Sequence, residues 1–243
     1  MLSREFRKIG GRGPFELSNY PIESDQLNLL NELDPRSNSL DSNACPQEQP
    51  LNEVKLNTQK NSPKIDKAPE MLLIVDTETT GLNADLDKCI EVGVILFNVP
   101  NRSTLAQQSF LIPSSSNNAE SINKIPVQIT KLNQPFTEAI SYLKALIDSA
   151  DLIIAHNAEF DRQWFGKGSL PFIQKPWLCS MEDIKWPVDR NLRARPSVRD
   201  LALAYEVPVW NAHRALTDCI YLAEVFRRCS DLEDLLKKGL EPR

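Results

Sequence analysis

Histidine is scarce in this chain: of 243 residues only His156 and His213 carry an imidazole. A histidine-rich metal cage is therefore excluded, and any bound metal has to lean on carboxylate oxygen, which points to hard cations such as Mg²⁺ or Mn²⁺. Cysteine is nearly as sparse. Cys45, Cys89, Cys179, Cys219 and Cys229 are scattered, odd in number and without a C-x-x-C pair, so neither a disulfide framework nor a zinc site is expected, and a reducing cytoplasm fits. No apolar run approaches the ~20 residues that cross a bilayer, and no basic segment followed by an apolar stretch opens the chain. A soluble, unexported, cytoplasmic protein without a membrane partner is expected. Net positive charge is also lacking: the formal value of −5 speaks, taken alone, against a phosphate-rich partner. It does not decide the matter. A site that grips phosphate through metals needs acids at its centre and basic residues only along the approach.

There is no internal repeat, but composition divides the chain near Met71. The preceding stretch is rich in Ser, Asn, Pro, Gln and Lys and poor in aromatics, and cannot bury enough apolar surface to offset its ordering entropy. Residues 1–69 are expected to be a disordered extension with one short helix over Leu27 to Leu33. Arg4, Arg7, Lys8 and Arg12 form either a phosphate-contacting arm or a solvated terminus. The apolar content of 41% suits one packed α/β domain, placed at 70–230, with a tail at 231–243.

Within that domain the periodicities are readable. Leu72, Leu73, Ile74 and Val75 form a continuous apolar run, as in a strand covered on both faces. Ile90 to Phe97 is a second strand, interrupted by Glu91 and Gly93, and Gln107 to Ile112 a third, suggesting an antiparallel meander. Ile140, Leu143 and Ile147 mark a helix over Thr137 to Ser149. A fourth strand follows at Leu152 to Ala155, a short helix from Ala158 to Phe165, and a fifth strand at Trp177 to Ser180. Ser197 offers an N-cap with Asp200 three residues on, opening a helix through Tyr205. The last helix spans Ala215 to Cys229. This order predicts a mixed five-stranded sheet flanked by helices.

Four carboxylates stand where a folded core would not ordinarily choose them. Asp76 and Glu78 end the first buried strand, where residues i and i+2 point to one face about 6.6 Å apart, so both can share a cation. The same residues also fit a polar turn, Asp76 to Gly81, in which Gly81 supplies a positive φ. Asp218 shares a helical column with Ala215, Leu222 and Val225, and a carboxylate there is costly unless paired or metal-bound. An acid at the helix rim, near the N-terminal dipole, is the alternative. Asp161 falls in the first turn of a helix, where acids are common, and Glu159 competes with it. His213 sits at a loop-to-helix junction, as an ordinary surface imidazole or as one within reach of the acids.

Three segments carry a resemblance. Val75-Asp76-Thr77-Glu78-Thr79-Thr80-Gly81-Leu82, His156-Asn157-Ala158-Glu159-Phe160-Asp161 and His213-Arg214-Ala215-Leu216-Thr217-Asp218 resemble, in that order, the motifs of the DEDDh branch of the DnaQ-like 3′→5′ exonucleases, which includes the proofreading epsilon subunit of bacterial DNA polymerase III. The resemblance covers about residues 71–230. It implies a ribonuclease H-like fold, two metal ions held by Asp76, Glu78, Asp161 and Asp218, and His213 as general base in a metal-assisted in-line hydrolysis that releases nucleoside 5′-monophosphates. It also implies that Thr79 and Leu82 meet the terminal nucleotide, with Leu82 as a wedge against its base, although a core leucine would read the same. Glu91 matches a family position and is read as a structural acid; Asn157 is read as ordering a turn.

One departure is visible. Where many relatives carry a His-Gly-Ile-Thr-like segment, this chain has Pro126-Val127-Gln128-Ile129-Thr130, so the histidine that they direct at the 3′ nucleotide is missing. Lys185, Arg190, Arg193, Arg195, Arg199 and Arg214, with Trp186 and Trp210 among them, could guide and stack a strand or form a solvated loop. The substrate expected is nucleic acid with a free 3′ end, single-stranded, with DNA of a proofreading or repair type favoured over RNA trimming or oligonucleotide degradation. A polymerase complex and a catalytically silent binding module stay open.

Overall fold

The computed structural model describes residues 67–210 and 213–241. The expected extension lies outside the described residues up to residue 66, and with it the Leu27 to Leu33 helix and the basic arm. Strands β1 (Met71–Thr79), β2 (Cys89–Asn98) and β3 (Ser103–Leu111) form the antiparallel meander. Two four-residue helices follow, α1 (Glu120–Asn123) and α2 (Val127–Thr130), and then α3 (Phe136–Ser149). Next come β4 (Leu152–Ala155), α4 (Ala158–Arg162), β5 (Trp177–Cys179), a 3-10 turn at Val188–Arg190, α5 (Val198–Ala204), α6 (Ala215–Arg228) and α7 (Leu232–Gly239). The five strands lie in the order β3-β2-β1-β4-β5, with β4 parallel to both β1 and β5. The sheet is mixed and flanked by helices, as its pattern required.

The apolar runs are continuous because both faces of the sheet are covered. Leu72, Ile74, Ile95, Phe97, Leu152 and Ile154 bury against α5, α6 and α7, whereas Leu73, Val75, Val92, Val94, Leu96 and Ile153 bury against α3 and the Trp164–Phe165 segment. The period of two thus fixes what comes next on β1. Asp76 and Glu78 continue the series facing α6. Thr77 continues the opposite series.

The elements differ from the sequence pattern in three places. β3 begins four residues before Gln107, at Ser103, because it is an edge strand with a half-exposed pattern and Leu105 in solvent. α4 ends at Arg162 rather than Phe165. The residues expected as a tail, 231–243, include α7, whose Leu232, Leu235 and Leu236 are buried on the α5–α6 side. Three leucines in one eight-residue helix were too short a period to stand out.

Candidate active site

The pairing of β1 with β4 ends at Val75 opposite Ala155, so the last residues of β1 and those that follow β4 face one crevice. Into it β1 sends Asp76 and Glu78, and α6 sends Asp218 from its first turn. One oxygen from each of these three carboxylates lies within 4.8 Å of the others. Asp161 on α4 is buried and accepts a 2.8 Å hydrogen bond from Thr77 Oγ1, which joins α4 to the opposite face of β1. Asp76, Glu78, Asp161, Asp218 and His213 all line a single cleft of about 740 Å³. His213, exposed and at φ 63°, donates its backbone N–H to Asp218 Oδ2 at 3.2 Å. Asp218 Oδ1 is buried with no hydrogen-bond partner.

Electrostatics show what this clustering costs. Burial, then the neighbouring Asp161, Asp218 and Glu78, pushes the Asp76 carboxyl well above its ordinary range. Burial and the adjacent Glu91 raise Glu78 from 4.5 to about 8. Burial raises Asp161 to about 7 against the Thr77 hydrogen bonds, and Asp218 to about 6 against the His213 N–H. Acids so placed repel one another unless a cation neutralises them. The orphaned Asp218 oxygen and the all-oxygen donor set fit a hard divalent metal held by Asp76, Glu78 and Asp218.

The helix bearing Asp218 is seated by two features of β2 that interrupted its apolar run. At Gly93, which pairs with Asp76, an added Cβ would lie 2.3 Å from the Ala215 carbonyl carbon and the Leu216 nitrogen, so the start of α6 rests directly on glycine backbone. Glu91 is buried and holds Arg214 by two hydrogen bonds of 3.0 and 2.8 Å, the Ala215 N–H at 3.2 Å and Ser109 Oγ at 3.0 Å. It is a structural acid, and Arg214 is its partner rather than a strand guide.

Other side chains are also redirected. Trp186 stacks on Phe226, meets Tyr205 edge-on and donates Nε1 to the Ser180 carbonyl at 2.8 Å, so it belongs to the core and is not a base-stacking platform. Arg190 lies 4.4 Å over the Tyr205 ring. Arg193 and Arg195 line the cleft. Gly81 has no positive φ; it is small because the Asp87 carboxylate packs 2.3 Å from where a Cβ would stand. Asn157 does take the left-handed conformation, φ 73°, to start α4. Thr79 is buried, with its hydroxyl on the Gly81 carbonyl at 2.5 Å and its own carbonyl accepting from Asn123. Leu82 stands 80% exposed on the cleft wall, which Ile122 of α1 also lines at 59% exposure. Sequence pattern missed Ile122 and Asn123, since four-residue helices have no period to read.

A mixed sheet with carboxylates gathered outside its parallel strands is the ground plan of a metal-dependent phosphodiesterase of ribonuclease H-like fold. A family model described as RNase_T, Exonuclease, matches residues 73–226, and the chain belongs to that exonuclease family. It is a DnaQ-like 3′→5′ exonuclease of the DEDDh type. Over 160 residues it is 29% identical to the DNA polymerase III subunit epsilon of Treponema pallidum (strain Nichols), covering 62% of this chain and 72% of that protein. Over 180 residues it is 28% identical to the 3'-5' exonuclease DinG of Staphylococcus haemolyticus (strain JCSC1435), covering 68% of this chain but only 19% of that longer protein. Among solved structures, Exonuclease X in complex with 5' overhanging duplex DNA shares the fold with a TM-score of 0.52 at 23% identity, covering 70% of this chain and all 100% of that one. The nuclease domain of 3'hExo, a DEDDh family member bound to rAMP, does so with a TM-score of 0.52 at 14% identity, covering 68% of this chain and 93% of that one. Among the described residues no helix is long and apolar enough to cross a membrane.

Proposed function

We propose that this chain removes nucleoside 5′-monophosphates one at a time from the 3′ end of single-stranded DNA, in proofreading or repair. Asp76, Glu78, Asp161 and Asp218 hold two Mg²⁺ or Mn²⁺ ions. The observation that carries this reading is the convergence of acids from β1, α4 and α6 in one cleft, with an Asp218 oxygen buried and unpartnered. Bound there, the ions supply Lewis acidity at the scissile phosphate and at the leaving 3′-oxygen. His213, exposed beside Asp218, takes the proton of the attacking water, and its backbone N–H keeps Asp218 Oδ2 turned toward the junction. Thr79 shapes the floor under the terminal nucleotide, and Leu82 presses on its base. The DNA preference is drawn from the epsilon relative, and association with a polymerase follows from the same likeness.

The test is degradation of 5′-labelled DNA and RNA of one sequence with Mg²⁺, Mn²⁺ or EDTA. A metal-dependent ladder descending from the 3′ end, faster on DNA, is expected. A faster RNA ladder overturns the substrate preference, and no ladder on either strand overturns the reading.

Two further outcomes follow. Leu82 is mostly in solvent, so Leu82→Ala leaves the melting temperature unchanged but raises KM for the strand about fivefold, as loss of ~1 kcal/mol of apolar contact requires. An unchanged KM removes the wedge role. The acids also set a pH dependence. Each binds its proton more tightly folded than unfolded, so without metal folding is favoured at low pH. That advantage is lost from about pH 4, where the unfolded carboxyls ionise, to about pH 8, where Glu78 does. Melting in EDTA should therefore fall between pH 5 and 8. Mn²⁺ at about 100 times its Kd should restore roughly 3 kcal/mol at pH 8 and far less at pH 5, where the ligands hold protons. A metal effect independent of pH contradicts the carboxylate assignment.

A further inference from the structure

His156 directly follows β4, two residues before α4, the helix that carries Asp161, and both of its ring nitrogens are engaged. Nδ1 lies 2.9 Å from Ser180 Oγ, and Nε2 lies 2.8 Å from the carbonyl oxygen of Pro196, forty residues further along the chain. A carbonyl only accepts, so Nε2 carries the hydrogen, and the single Ser180 hydroxyl hydrogen is shared between Nδ1 and the Ala155 carbonyl 3.3 Å away. Burial also favours the neutral imidazole that this pattern needs. The bond to Pro196 is the point at which a long irregular segment is tied back to the catalytic end of the sheet. Pro196 itself is buried, and the next residue, Ser197, caps α5 in a reciprocal capping box with Asp200.

What this tie holds is a pair of cations. Arg193 and Arg195 line the cleft together with Pro196, Ser197 and the catalytic carboxylates. Each is steadied by one ion pair on a terminal nitrogen, Arg193 with Asp200 at 2.8 Å and Arg195 with Glu182 at 2.7 Å. A guanidinium has five N–H donors, so each pair leaves a planar fork for a second anion. Both side chains are about two-thirds exposed, which suits contacts to a solvated polyanion. Two other cations of the basic group are used elsewhere: Arg190 lies over Tyr205, and Arg214 binds Glu91.

We propose that residues 191–197 form a phosphate-binding loop for the single strand, with Arg193 and Arg195 contacting its backbone, and that His156 is the positioning residue that fastens this loop over the cleft through the Pro196 carbonyl. The proposal rests on the exonuclease reading for the identity of the strand but not for its own test. That test is equilibrium binding of a fluorescein-labelled 20-nucleotide single strand with terminal phosphorothioate linkages, followed by anisotropy across KCl concentrations. For a single strand, each phosphate contact contributes about 0.7 to the slope of log affinity against log salt. Arg193→Ala and Arg195→Ala each lower the slope by about 0.7. His156→Ala removes no charge from the neutral ring yet lowers it by about 0.7 to 1.4. His156→Gln, whose amide can donate to Pro196, brings the slope back to near the wild-type value and carries the test if the alanine variant fails to fold. Hydrolysis of the p-nitrophenyl ester of thymidine 5′-monophosphate, which has no strand backbone beyond the scissile phosphate, stays within about twofold in the folded His156 variants. A wild-type salt slope in both His156 variants overturns the proposal, and so does ester turnover that falls in step with strand affinity. A wild-type protein that binds the strand with the expected slopes but degrades neither an unmodified strand nor the ester sinks the exonuclease reading and leaves the loop assignment standing.

Discussion

Asp218→Asn abolishes turnover, by about 10³-fold or more, and at the same time raises the melting temperature of the metal-free protein. The first effect follows from the position of Asp218: its carboxylate completes a triad of oxygens within 4.8 Å, and its Oδ1 has no partner other than whatever cation enters. Loss of one ligand of a cation that would neutralise charge at a transferring phosphoryl group removes on the order of 4 kcal/mol of transition-state stabilisation. The second effect follows from the raised carboxyl: with Asp218 pushed up to about 6 mainly by burial, its ionised form at pH 8 opposes folding. The asparagine keeps an oxygen to accept the His213 N–H but carries no charge. After allowance for screening, the gain is about 1–2 kcal/mol, or roughly 3–6 °C, and it appears only in EDTA. The checks are the 5′-labelled strand assay and thermal melts with and without metal. Wild-type turnover refutes the ligand role. Lower stability in EDTA refutes the claim that the buried charge of Asp218 opposes folding.

The same trade between stability and chemistry explains what was legible in the sequence. Asp76, Glu78 and Asp218 could be read because they contradict their surroundings: two acids extend an apolar strand, and one interrupts an apolar helical column whose other members, Ala215, Leu222 and Val225, are buried. The strands and long helices were legible for the converse reason, since burial on both faces of the sheet leaves runs that few other arrangements produce. Asp161 was weaker, because its role depends on Thr77 crossing from β1, a contact between residues 84 positions apart. The cleft wall was not legible at all on the α1 side. Asn123 holds the Thr79 carbonyl and Ile122 stands beside the cleft, yet both sit in a single helical turn with no periodicity, between segments that read as loop. Trp186 and Arg190 could not be placed for a related reason: composition shows that a segment is basic and aromatic but not which side chains pack on neighbouring rings.

Gly93→Ala, a change of one methyl group on a residue with no side chain of its own, is expected to cost about 100-fold in turnover and about 1–3 kcal/mol in stability. Sequence pattern treated Gly93 as an interruption of β2. Its position opposite Asp76 gives it another meaning, because the two residues are paired across the strands and α6 crosses at that point. The added Cβ would fall 2.3 Å from backbone atoms of Ala215 and Leu216, and backbone in the first turn of a helix cannot rotate away as a side chain can. Nor can the helix start simply slide, because Glu91 grips Arg214 and the Ala215 N–H two residues along the same strand. The helix has to lift, and Asp218 and His213 lift with it while Asp76 and Glu78 stay on the sheet. A displacement of about 1 Å between the two halves of a metal site is enough to lose about two orders of magnitude in rate. Because the injury is to spacing and not to ligand identity, Mn²⁺, which tolerates imperfect geometry better than Mg²⁺, should recover part of the activity in Gly93→Ala but none in Asp218→Asn. Metal-dependent turnover in the two variants, set beside their melting temperatures, separates these cases. Equal responses to Mn²⁺ would mean that glycine at this position serves only packing.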